Sequence, residues 1–218
     1  MSAVKRIFKS LPVAFKDGKN EEARIQMSVA ALEAGIAFNN ASVTIIHGMS
    51  RPIGALFHVA HGLSNAMLMK ECLGFALEGA YDRFADLGRA IGVADATDED
   101  KAAAEKFLSA IEGIVKELET PTLAEFGIDK EEFFKVIDKM AYDAMDSGSP
   151  QNTMREVSEE QVKTDLQKSL VIVYEKKADR KAGTDAACGN PYGWMWKNKR
   201  RSKNAKVYHW SCDQVKKQ

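Results

Sequence analysis

The strongest constraint on the fold is a helical repeat. From residue 98 to 118, Phe107, Leu108, Ile111, Ile114, Val115 and Leu118 return every three or four positions and line one face of a helix. Residues 129–146 repeat the pattern with Phe133, Phe134, Ile137, Met140, Ala144 and Met145. Residues 21–37 open with two glutamates and are rich in alanine, the best helix former. Shorter helical patterns occupy 63–73 and 80–91, punctuated by Gly74, Gly79 and Gly92. Thr97 with Asp100 reads as a capping-box variant, and Ser158 with Gln161 as a capping box opening a last helix. Thr120-Pro121-Thr122 and Ser147-Gly148-Ser149-Pro150 end the two long patterns. Alternating strand patterns are lacking apart from a short apolar run at Leu170–Tyr174. These signals predict an all-α protein, a helical bundle packed by amphipathic faces.

Charge divides the chain where hydropathy does not. The whole sequence balances 31 basic against 31 acidic residues, which gives no general argument for a nucleic-acid or membrane partner. Yet residues 171–218 hold 12 Lys and Arg against 4 Asp and Glu, and all three tryptophans. The shift places a boundary near residue 170: a helical domain over 1–168 and a basic tail over 169–218. Three cysteines without short spacing argue against a disulfide framework or a Cys-rich zinc module, and fit a reducing cytoplasm. No apolar stretch approaches the ~18 residues of a membrane span, and Met1-Ser-Ala-Val-Lys-Arg lacks a signal peptide's apolar run.

The chemistry concentrates in residues 35–69. Three of the four histidines, His47, His58 and His61, fall there. His47 and His61 suit two metal ligands on neighbouring elements, separated by a Pro52/Gly54 break where the chain changes direction. Neutral imidazole suits divalent iron, zinc and related metals. His58 reads as a supporting or substrate-pocket residue rather than a ligand. Asn39, Asn40, Ser64 and Asn65 read equally well as caps and turn-makers. Met27, Met67, Met69 and Met140 read as core filling.

The run AFNNASVTIIHGMSRPIGALFHVAHGLSNAML resembles the signature region of iron-containing (group III) alcohol dehydrogenases. That pattern reads roughly G-x-x-F-x-N, then H-x-(M/I)-(A/S)-(H/R)-x-(I/L)-G, then H-G-x-x-N-A. Residues 74–92, the segment GIDKEE at 127–132, and Asn152 with the helix from Ser158 resemble the family's downstream stretches, so the likeness covers about residues 1–165. It implies the family's C-terminal helical domain and hydride transfer between a small alcohol or aldehyde and NAD or NADP. A divalent metal, iron or zinc, would be held by one Asp and three His, of which His47 and His61 match the last two. Phe38 matches an aromatic residue beside substrate and nicotinamide. Arg51 falls where many members carry a His near the nicotinamide. Arg stays protonated, so it can orient a charged cofactor or substrate group but is a poor general base.

Two parts of the family pattern are absent from this sequence. No Gly-rich dinucleotide turn follows a strand, and no other His precedes His47. The expectation is therefore a domain truncated at its N-terminus, lacking the cofactor domain and two metal ligands, and inactive alone. Its partner would be a separate N-terminal half or a second copy of the chain. The tail 169–218 is expected to be disordered or frame-shifted rather than a nucleic-acid arm, with Cys188, Cys212 and His209 incidental. The competing readings are an inactive remnant with residual metal or partner binding, and a helical binding module.

Overall fold

Ten helices and one 3-10 turn account for the ordered backbone in the computed structural model, which describes residues 1–180 and side chains as far as Leu170. They are α1 (Ser2–Lys16), α2 (Glu21–Ala41), α3 (Ile45–Phe57), α4 (His61–Leu77), α5 (Tyr81–Ile91), α6 (Asp100–Glu117), α7 (Leu123–Phe126), α8 (Lys130–Lys135), α9 (Ile137–Asp146) and α10 (Glu159–Arg180). The 3-10 turn is Pro150–Asn152. No strand occurs among the described residues, so the all-α reading holds. The backbone of the apolar run at Leu170–Tyr174 is helical, inside α10. Residues 181–218, with most of the basic tail, lie outside the described residues.

The sequence signals set most helix ends, with three differences. The proposed Thr97–Asp100 cap is not used: Glu99 is the N-cap of α6 and makes no side-chain cap bond. Asp98 works there instead, accepting from the Asp95 N–H at 2.8 Å and from Lys106 Nζ at 2.6 Å. The pattern over 129–146 is broken into α8 and α9 at Val136, whose φ of −113° and ψ of 5° leave the helical region. Ser158 does accept from the Gln161 N–H at 3.1 Å, but the Gln161 side chain reaches on to Asp165 instead of back to the cap. A full capping box appears at an unread place, Thr122 with Glu125. Helix α1 was not among the patterns read, and Pro12 sits inside it.

Two cores result. The larger joins α3, α4, α9 and α10 and the short helices between them, around Ile45, Met49, Ile53, Leu68, Cys72, Phe133, Met140, Val162, Leu166 and Leu170. Phe57 stacks on Phe133 with ring centres 5.6 Å apart. The smaller core pairs α5 with α6 through small residues, Ala85, Ala94 and Ala103. Gly88 lets the two backbones approach, because a Cβ there would lie 2.7 Å from the Ala103 carbonyl oxygen. Phe107 ties this pair to α1 and α5 through Phe8 at 6.1 Å and Phe84 at 6.0 Å. Helix α1 is also joined to α2 by the Arg6–Glu33 ion pair at 3.3 Å.

Helix α2 is different. Only Ala23 and Ala30 are buried along its 21 residues. Ile25, Leu32 and Ile36 stand 56%, 65% and 59% exposed, and with Val29 they fall on one stripe at helical spacing. No single helix among the described residues is long and apolar enough to cross a membrane.

Candidate metal site

Three elements frame the histidines. Helices α2 and α3 meet at 106° across residues 42–44, where Ser42 takes a left-handed φ of 66°. Asn152 holds that corner: its Nδ2 donates to the Val43 carbonyl at 3.1 Å, to Ser42 Oγ at 3.2 Å and to the Gly148 carbonyl at 3.3 Å. The Ile45 N–H at the start of α3 donates to Thr153 Oγ1 at 3.1 Å, relieving one of the orphan donors of a helix N-terminus. His47 thus sits in the first turn of α3, on a start fixed from elsewhere in the chain. Gly48 beside it is needed for close packing, since a Cβ there would lie 2.9 Å from Pro150 Cγ.

The expected Pro52/Gly54 break does not occur. Helix α3 runs through both residues, with Pro52 buried. The chain turns instead four residues after Gly54, where His58 caps α3 in the left-handed region with φ 55° and ψ 32°. Gly54 matters in another way: a Cβ there would lie 3.2 Å from the Val59 carbonyl, so the returning chain can pass close to α3. Helix α4 then begins at His61.

This turn brings His47 and His61 together. Their ring centres are 5.2 Å apart, with planes tilted by 58°. His47 is half-buried and His61 is exposed. Burial holds the His47 pKa below the ordinary imidazole value, with nearby His61 and Arg51 adding to the effect. A lowered pKa keeps the ring neutral and its lone pair available at neutral pH. Around His61 there is a set of polar contacts. Ser50 Oγ lies 3.3 Å from its Nδ1, Ser64 Oγ lies 2.6 Å from Ser50 Oγ, and Ser64 Oγ donates to the His61 carbonyl at 3.0 Å. Asn65 Nδ2 stands 3.2 Å from His61 Nε2.

Of the other expected residues, Arg51 is near enough to act on His47 through its charge, and among the described residues neither it, Phe38 nor His58 hydrogen-bonds to either imidazole. Arg51, exposed one turn beyond His47, donates from Nη1 to Ser149 Oγ at 3.2 Å. Phe38 is 56% exposed near the end of α2. His58 serves as the exposed C-cap of α3. Sequence reasoning passes over Ser50 and leaves Ser64 open as equally a cap or turn-maker, although each follows a histidine by three residues. Among the described residues no group of three or more His, Cys, Asp or Glu side chains is placed to hold a metal ion.

Residues 1–171 match the sequence profile described as "Fe-containing alcohol dehydrogenase family, C-terminal". The chain belongs to the iron-containing alcohol dehydrogenase family. Among its relatives are long-chain-alcohol dehydrogenase 1 of Geobacillus thermodenitrificans and the NADPH-dependent butanol dehydrogenase of Clostridium saccharobutylicum. The first is 34% identical over 59% of this chain and 33% of its own length. The second is 29% identical over 75% of this chain and 41% of its own length. The solved structure of a 1,3-propanediol oxidoreductase superposes with a TM-score of 0.73 at 28% identity, covering 78% of this chain and 44% of that one. This family member therefore spans well under half the length of the relatives it matches.

Proposed function

We propose that this chain is the metal-binding helical part of an NAD(P)-dependent alcohol dehydrogenase that interconverts small alcohols with their aldehydes or ketones. The observation that carries the reading is the His47–His61 pair, presented by successive helices with ring centres 5.2 Å apart. Two imidazoles sharing a tetrahedral ion at about 2.1 Å from each nitrogen have ring centres roughly 5 Å apart, so the pair fits one divalent metal such as iron or zinc. A site of this kind needs three or four protein ligands. The remaining ligands and the dinucleotide site belong, in this proposal, to an N-terminal α/β half or to a partner chain. The apolar stripe of α2, from Ile25 to Ile36, supports this, because a stripe of that kind marks a surface built to be covered. The helical domain is taken as 1–168 and the basic tail as 169–218.

When bound, a divalent metal supplies Lewis-acid polarisation of the alcohol or carbonyl oxygen, and the nicotinamide supplies hydride exchange. This chain's residues do the positioning. His47 and His61 offer imidazole nitrogens from two helices locked by the 42–44 corner and the 58–60 turn. Arg51, tied to Ser149, provides a fixed positive charge for an anionic group of cofactor or substrate and does not move protons. Phe38 offers an exposed aromatic face to an apolar substrate chain. The relatives' names, butanol, long-chain-alcohol and 1,3-propanediol dehydrogenases, support a small or apolar alcohol as substrate.

The test is a Co(II) titration of the purified chain mixed with the N-terminal α/β half of a relative, followed by absorption, alongside the same mixture made with His47→Ala or His61→Ala. Loss of uptake in both variants is expected. Uptake that survives both substitutions refutes the site. The wild-type mixture, with ferrous iron and NAD or NADP, should then produce alcohol-dependent reduction of the cofactor. Metal uptake without activity in any such mixture would instead favour an inactive metal-binding module.

A further inference from the structure

Proton counting around His61 gives more than its position. The Ser64 hydroxyl donates to the His61 carbonyl oxygen at 3.0 Å, and a carbonyl can only accept. Ser64 has one proton, so at its 2.6 Å contact with Ser50 it must accept, and Ser50 must donate. The single Ser50 proton is thereby used. At the 3.3 Å contact with His61 Nδ1, Ser50 can then only accept, so Nδ1 carries the hydrogen. The chain of bonds starts at the His61 ring and closes on the His61 backbone: Nδ1–H to Ser50, Ser50 to Ser64, Ser64 to the carbonyl. Ser50 is 1% exposed and Ser64 is fully buried, so water does not reach the two hydroxyls, although the His61 ring is exposed. The neutral ring then carries its lone pair on Nε2. Asn65 Nδ2 stands 3.2 Å from that nitrogen and can donate to it in the metal-free chain; a metal bound there would take its place.

We propose that Ser50 and Ser64 are positioning residues that lock the His61 imidazole in its Nδ1–H tautomer and so make Nε2 the ligand nitrogen. The metal role rests on the function proposed above; the tautomer does not. A ligating histidine ordinarily donates its other ring N–H to a partner that fixes tautomer and ring orientation, and losing such a partner costs about 10–100-fold in metal affinity. Here that partner is a buried hydroxyl whose own direction is set by a second hydroxyl and a backbone carbonyl. Both serines are buried beside His61 and act through it.

The experiment is two-bond 1H–15N NMR of the 15N-labelled full-length chain, metal-free and at a pH where His61 is neutral. The wild type should show His61 protonated at Nδ1. In Ser50→Ala the acceptor is lost, and the ring should move toward the Nε2–H form that free imidazole prefers. Ser50→Thr, which restores a hydroxyl, should return it to Nδ1–H. Co(II) affinity should fall about 10-fold or more in Ser50→Ala and recover in Ser50→Thr. A wild-type ring protonated at Nε2 overturns the proposal, and that readout needs no variant to fold. A tautomer unchanged in Ser50→Ala overturns it too, as does an equal loss of Co(II) affinity in Ser50→Ala and Ser50→Thr. A wild-type chain with His61 protonated at Nδ1 that takes up no Co(II) even when mixed with the N-terminal α/β half of a relative supports the tautomer assignment while refuting the metal function.

Discussion

Replacing Asp165 by Asn should stabilise the chain at neutral pH and not in acid. Asp165 lies on α10, 1% exposed, against α4. Its Oδ1 accepts from Gln161 Nε2 at 2.9 Å and faces Lys168 Nζ at 3.6 Å, while its Oδ2 is buried with no hydrogen-bond partner. Glu71 on α4 and Arg155 lie close enough to act on its charge or to share its field. Burial raises the Asp165 pKa, and Gln161, Lys168 and Arg155 only partly offset it. The native state therefore holds this proton more tightly than the unfolded chain does. Stability is lost as pH rises from the unfolded carboxyl value, about 3.9, through the native one. Asn keeps the shape and the acceptor for Gln161 but cannot ionise. A buried polar oxygen without a partner costs about 1–3 kcal/mol, part of which Asp165→Asn should recover at pH 7.5, read as a higher urea midpoint. Near pH 4 the gain should vanish, because both side chains are then neutral. Urea unfolding at the two pH values measures the difference. A variant less stable than wild type at pH 7.5, or a difference of equal size at both, would show that the ion contacts outweigh desolvation and refute the reasoning.

Four further outcomes follow from packing and exposure. Gly88→Ala should lower stability, because its Cβ would lie 2.7 Å from the Ala103 backbone oxygen and the overpacking cost of about 1–3 kcal/mol exceeds the helix gain of about 1 kcal/mol. Gly113→Ala, exposed on α6 with nothing within 4 Å of its Cβ, should raise Tm instead. Opposite signs in thermal melts check both, and a shared sign would refute the close approach of α5 and α6. Phe133→Ala, fully buried and stacked on Phe57, should cost about 3–5 kcal/mol in urea unfolding; a cost below about 1 kcal/mol would show that the core relaxes around it. Leu32→Glu, in the exposed stripe of α2, should reduce self-association in light scattering with little change in helicity. Unchanged association would place the sticky surface elsewhere.

Helices were legible in the sequence because their signal is local. Apolar spacing over 98–118 and 129–146, and Gly or Pro at their ends, depend only on neighbours along one helix. The nearness of His47 and His61 was also expected, from their clustering and from the family's pattern. The route between them was not. Pro52 and Gly54 look like breakers in sequence, yet α3 continues through both, because Pro52 is buried in the bundle and Gly54 leaves room for the Val59 carbonyl. The turn falls at His58, a residue type that enters the left-handed region more often than most but far less readily than glycine, so the sequence marks no break there.

What the sequence determined by itself was therefore the class of fold, the run of chain in which three of the four histidines cluster, and the two imidazoles that come together within it. Each is a property of spacing along one chain. What only the tertiary structure decided was which groups face those imidazoles. Ser50 and Ser64 are ordinary helical serines until α3 and α4 fold back and set their hydroxyls 2.6 Å apart. Hydrogen bonds fall off over fractions of an ångström, and no periodicity along the chain carries distance at that resolution. The same folding leaves the stripe of α2 exposed, a surface whose apolar spacing the sequence contains but whose lack of a cover only the packed bundle reveals.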